Sequence, residues 1–150
     1  MAWLEAHVYC ALLSYLAFLI GFASALMYLL QERQLKAKRM GWVFRSLPSL
    51  EQLDASNLIA ITLGFALYSV ALAFGAVMER RTLGHWASGD AKEVLSILTW
   101  LSYASLLYVR WLSFERGRKV AMASVVMFSW LVFGCFVARF VLPSWHTFLF

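Results

Sequence analysis

Residues 6–30 read AHVYCALLSYLAFLIGFASALMYLL, a run without a single Asp, Glu, Lys or Arg. A helix needs roughly 20 such residues to cross about 30 Å of hydrocarbon, so this stretch predicts a transmembrane helix. Three further segments meet the same test: 55–78, also uncharged; 94–114, interrupted only by Arg110; and 120–142, with Arg139 near its far end. The composition agrees. Of 150 residues, 63% are hydrophobic and 17% aromatic, only 14% are charged, and the mean hydropathy is +0.73. A soluble domain carries about 25% charged residues, so a soluble enzyme and a disordered tail are excluded. The net charge of +5 does not point to nucleic acid, which requires a basic face on a soluble body. The expected architecture is an all-α, four-helix membrane bundle forming a single domain over residues 1–150, with the loop 79–93 joining the second and third spans.

Charge sets the expected orientation. Arg33, Lys36, Lys38, Arg39 and Arg45 lie between the first two spans, and Arg110, Arg116, Arg118 and Lys119 lie around the junction of the last two. The middle loop carries only Arg80, Arg81 and Lys92. Basic loops stay cytoplasmic, which predicts both termini and the loop 79–93 on the outer side. The N-terminus has no basic n-region or small-residue cleavage site, so no removed signal peptide is expected. Trp3, Trp86 and Trp145 fall near the predicted outer boundary, with Trp42 and Trp111 near the inner one, as interfacial aromatics do. Small residues four apart (Gly21 and Ala25, Ala60 and Gly64, Gly134 and Ala138) would let helix backbones approach closely. Ser49 with Gln52 three residues on predicts a capping box opening a short cytoplasmic helix ahead of span two.

Two cysteines, Cys10 and Cys135, are too few and too far apart for a disulfide framework or a zinc site, and are expected to pack as small apolar residues. The three histidines are more informative, because the topology puts His7, His85 and His146 all on the outer side. Two neutral imidazoles facing each other across a bundle mouth can ligate haem iron from both sides, with Arg80, Arg81, Lys92 and Arg139 at the same level to meet the propionates. Arg139 serves equally as a snorkelling residue at the interface. Zinc held by the three histidines with Asp90 or Glu93 is the alternative metal site, and interfacial histidines without a ligand are the plain structural reading. No CxxCH is present, so any haem would be held non-covalently.

The order and spacing of several segments resemble the cytochrome c assembly proteins of the CcsA/ResC/HemX type. The run from His7 to Phe18 is similar to that family's histidine-led helix. Tyr28 to Lys36 and Leu47 to Asp54 are similar to its cytoplasmic connection. Gly64-Phe65 and Gly75-Ala76 resemble its approach to the outer loop, Leu98-Thr99-Trp100-Leu101 with Arg110 its next span, and Trp145-His146-Thr147-Phe148 its closing histidine. The resemblance runs over nearly the whole chain and corresponds to the later spans of larger members.

The resemblance implies that His7 and His146 are axial ligands of a b-type haem at the outer face. It also implies that residues 83–93 are the counterpart of the tryptophan-rich WWD loop, with Trp86 and Asp90 against the haem. Gly84, Asp90, Lys92 and Glu93 match that loop. Leu83, Ala87 and Gly89 stand where tryptophans are common, Ala91 replaces a proline, and Tyr108 stands where many members carry an intramembrane histidine. The implied function is haem handling in cytochrome c biogenesis, by binding and release rather than catalysis. The implied partners are haem, apocytochrome c and a second membrane subunit or another copy of the chain, and the expected location is a bacterial cytoplasmic membrane. Two other functions compete: a HemX-like regulator or scaffold acting through the cytoplasmic loops, and a small haem- or quinone-binding subunit of a membrane oxidoreductase.

Overall fold

The computed structural model describes residues 2–38, 46–84, 91–112 and 116–140. Those residues form four helices: α1 (Ala2–Lys36), α2 (Leu50–Leu83), α3 (Ala91–Leu112) and α4 (Arg118–Phe140). All four are long and apolar enough to cross a membrane. The described residues contain no strand, as expected where every backbone polar group must be satisfied within its own segment.

The helices outrun the hydrophobic spans at several ends. With a rise of about 1.5 Å per residue, the 35 residues of α1 are far longer than the hydrocarbon layer, so its polar end from Gln31 to Lys36 projects beyond it. The capping box forms as predicted: the Gln52 amide donates to Ser49 Oγ at 3.3 Å, and the Ser49 amide donates to Gln52 Oε1 at 3.1 Å. It opens no separate short helix, however. It caps α2 itself, which runs unbroken into the span because no residue between Leu50 and Ala55 breaks the ladder. The other end of α2 stops at Gly84, which takes the left-handed conformation (φ 79°) and donates its N–H to the Arg80 carbonyl at 3.1 Å; that conformation is cheap only for glycine.

Neighbouring helices run antiparallel. His7 meets Ala71 and Gly21 meets Asn57, so α1 and α2 are opposed. Tyr68 meets Ser96 and Asp54 meets Arg110, opposing α2 and α3. Phe22 stacks on Phe128 while Tyr28 reaches Gly117, opposing α1 and α4. The core joins Phe18, Ile61, Tyr68, Tyr103, Leu107 and Leu131 across all four helices. Phe18 lies flat on Tyr103 with ring centroids 3.9 Å apart, and a Cβ on Gly64 would come within 2.8 Å of the same Phe18 ring. Gly21, Ala25, Ala60 and Gly64 are all buried, and Gly21 against Ala60 and Gly64 against Ala17 make the close approach at the α1–α2 seam expected of them. Gly134 differs: a Cβ there would meet nothing within 4 Å, because the helices part around it to leave a cavity.

Polar side chains tie the bundle internally. Asn57, only 3% exposed, donates to the Gly21 carbonyl at 2.8 Å and accepts from Ser124 Oγ at 3.3 Å, joining α1, α2 and α4. Arg110, 6% exposed, forms a fork on Asp54. Its Nη1 donates to Oδ1 at 3.1 Å, and its Nη2 donates to Oδ2 at 2.7 Å and to the Asp54 carbonyl at 3.0 Å. The one charge interrupting the third span therefore locks the end of α3 to the start of α2.

Candidate functional site

Antiparallel packing sorts the charged residues to the two ends. Arg33, Lys36, Arg110, Arg116, Arg118 and Lys119 gather at one end, where α1 finishes and α2 starts. His7, Arg80, Arg81 and Lys92 gather at the other. The site of interest is built at the His7 end, on two helices rather than on a loop.

His7 lies in the second turn of α1 and turns toward α2, where its Nδ1 is 2.7 Å from the Ala71 carbonyl oxygen. A carbonyl can only accept, so Nδ1 carries a proton, and in the neutral imidazole this tautomer puts the lone pair on Nε2. Metal-ligating histidines are held in this way, the second nitrogen donating to a carbonyl or carboxylate that fixes tautomer and ring orientation. Gly75, one turn beyond Ala71, makes room for the ring: a Cβ there would lie 3.2 Å from His7 Cε1 and 3.3 Å from Nδ1. One turn before His7, Trp3 packs edge-on against Phe74 with centroids 5.6 Å apart, and the Arg81 guanidinium sits 5.0 Å over the Trp3 ring. The imidazole is thus oriented from one side and flanked by an aromatic pair and a cation.

Deeper in the bundle at the same end, all four helices line an open cavity of about 310 Å³, with Tyr15, Tyr68, Lys92, Ser96, Gly134 and Cys135 among its residues. Sequence reasoning did not anticipate it. The only trace of it there is that hydroxyl- and thiol-bearing residues interrupt apolar runs in all four spans.

The remaining sequence-level candidates fall unevenly. His146, Trp86, Asp90 and His85 lie outside the described residues, as do Trp42 and Trp145, and so does most of the proposed WWD counterpart. Arg139 stands in the last turn of α4, its side chain outside the described residues. The structure therefore neither joins His7 to His146 nor separates them. Tyr108 is 62% exposed and turned away from the core, which suits an interfacial anchor. Cys10 is half-buried, but Cys135 is exposed and opens on the cavity rather than packing in the core. Among the described residues no three of His, Cys, Asp and Glu cluster as a metal site would require.

Against known proteins, residues 1–146 match the family model described as cytochrome C assembly protein. The chain belongs to the cytochrome c assembly protein family. Its curated relatives include a cytochrome c biogenesis protein CcsA of Synechococcus sp. (strain CC9902), 32% identical over 146 residues, covering 83% of this chain and 48% of the relative. The CcsA of Parasynechococcus marenigrum (strain WH8102) is also 32% identical, with the same coverage of both chains. That of Prochlorococcus marinus (strain MIT 9303) is 30% identical over 149 residues, covering 83% of this chain and 47% of the relative. The chain thus spans about half the length of these assembly proteins. No solved structure matches it.

Proposed function

We propose that this chain handles haem in cytochrome c biogenesis, holding a non-covalent haem at the His7 end of the bundle and passing it on by binding and release. The observation that carries this reading is the His7–Ala71 hydrogen bond, which selects the tautomer whose lone pair is on Nε2 and holds the ring against α2. That is the state a haem axial ligand needs before iron arrives, and family membership supplies the context. His146 is the proposed second ligand, with Trp86, Asp90 and Arg139 around the ring. When bound, haem contributes an iron able to take two axial nitrogens and a flat apolar face. The chain's own residues do the rest: Ala71 and Gly75 orient His7, while Trp3 and Phe74 supply apolar surface beside it.

The proposed orientation has the His7 end outward, in a bacterial cytoplasmic membrane. Support comes from the sorting of Arg33, Lys36, Arg110, Arg116, Arg118 and Lys119 to the opposite end, the arrangement that keeps basic loops cytoplasmic. Apocytochrome c is the proposed recipient, and a further membrane subunit or a second copy the proposed companion.

Absorption spectra of the protein purified in detergent, oxidised and reduced, test the reading. The expected result is a six-coordinate bis-histidine haem spectrum that is lost in both His7→Ala and His146→Ala. A protein that is colourless and ignores added haemin, or one whose spectrum survives His7→Ala, overturns it.

A further inference from the structure

The four cations proposed to meet haem propionates are not equivalent in the structure. Arg80 is already engaged and does not line the cavity, Arg81 is held over the Trp3 ring, and Arg139's side chain is outside the described residues. Lys92 stands apart because it lines the cavity between the helices together with Tyr15, Tyr68, Ser96, Thr99 and Cys135.

The donors of that cavity can be accounted for one by one. Tyr68 gives its hydroxyl proton to the Ser96 carbonyl at 3.4 Å, Ser96 Oγ gives its own to the Lys92 carbonyl at 2.9 Å, and Thr99 Oγ1 gives its own to the Leu95 carbonyl at 2.9 Å. Two stronger donors are left over. The Tyr15 hydroxyl shares the cavity lining with the Cys135 thiol, a weak hydrogen-bonding group. The Lys92 ammonium has no acceptor among the described residues. Lys92 also lies in the first turn of α3, at the positive end of that helix's dipole. An ammonium at the outer end of the bundle, on the wall of a cavity with apolar sides, is well placed to meet the acid group of a ligand through a charge-assisted hydrogen bond. Leu95 and Leu131 supply apolar wall. The volume of about 310 Å³ stands at the small end of ligand pockets, which run from about 300 to 1,000 Å³. It suits an acidic arm of a larger apolar molecule.

We propose that this cavity is a carboxylate-receiving site, in which Lys92 and the Tyr15 hydroxyl take the acid group of an apolar amphiphile. Two sources offer that chemistry: a propionate of the porphyrin handled at the His7 end, and the head of a membrane fatty acid. Tyr68 lies one turn of α2 below Ala71, the residue that orients His7, so the cavity opens beneath the haem end and favours the propionate. The porphyrin source rests on the haem reading above; the lipid source does not.

Iron-free protoporphyrin IX separates this site from axial ligation, because without iron His7 has nothing to ligate. The full chain in dodecyl maltoside is titrated with protoporphyrin IX and with its dimethyl ester, binding being followed by quenching of tryptophan fluorescence. Radiolabelled laurate is measured in parallel. For a propionate, the diacid binds about tenfold more tightly than the diester, the scale of one charge-assisted contact. That preference disappears in Lys92→Gln, weakens in Tyr15→Phe and survives in Lys92→Arg. For a lipid, diacid and diester bind alike, while laurate binding falls about tenfold in Lys92→Gln alone. If neither ligand's binding depends on Lys92, the proposal is overturned, whatever the His7 spectra show.

Discussion

At the scale of single residues, the glycines divide by what surrounds them. Gly64 faces the Phe18 ring at a distance no added carbon can tolerate, and Phe18 is itself pinned against Tyr103. Gly64→Ala is therefore expected to destabilise the bundle by about 1–3 kcal/mol, the usual cost of overpacking a core, read as a lower unfolding midpoint in detergent. Gly134→Ala should leave that midpoint unchanged or raise it, since its added methyl enters open space and alanine is the better helix former by about 1 kcal/mol. Gly75 is a third case, because its neighbour is the His7 imidazole at 3.2 Å. Gly75→Ala is expected to change the unfolding stability by no more than about 1 kcal/mol while displacing the imidazole, seen as reduced haem content or an altered Soret band. An unaltered spectrum would remove Gly75 from the site.

At the scale of the helices, polar side chains supply the specificity that apolar faces lack. Lipid is as apolar as leucine, so burial alone does not choose which helices pair. Asn57 addresses α1 through the Gly21 carbonyl and α4 through Ser124. Asn57→Leu should cost about 0.6–2 kcal/mol, the range for interhelical hydrogen bonds in membranes, measurable by unfolding in mixed micelles. Arg110 and Asp54 act similarly at the far end, where α2 starts and α3 finishes. Removing one partner strands the other, so Arg110→Met alone should cost about 3–5 kcal/mol. Arg110→Met combined with Asp54→Leu should cost clearly less. A double variant as damaged as the sum of its parts would show that the pair contributes no coupling. The contact that matters for this prediction was visible in the sequence only as an awkward charge in a span.

At the scale of the whole molecule, helix reversal separates a basic end from a histidine-bearing end. The proposed orientation makes a direct prediction in a background lacking Cys10 and Cys135. An impermeant thiol reagent added to intact cells should label Arg81→Cys and spare Lys36→Cys, and the reverse pattern would invert the topology. The aliphatic surface of α1, with Leu12, Leu13, Leu16, Leu19 and Ile20 exposed, faces lipid or another membrane helix. Part of that surface is where the proposed companion subunit or second copy would pack.

Four membrane helices, their approximate limits and the capping box at Ser49 could all be read from the order of residues. Each depends on local terms: apolar length against bilayer thickness, and a side chain reaching its own helix end. Membership of the cytochrome c assembly family was legible for the same reason, since motif order is a property of the chain. The limits of α2 were not fully legible, because helix propensity continues past the hydrophobic run into water. Nor could the sequence reveal that His7 donates to Ala71, that Gly75 makes room for it, that Arg110 forks onto Asp54, or that a cavity opens beside Gly134. Each of those joins residues 56 to 68 positions apart or depends on how far two helices diverge, and only packed helices bring such groups together.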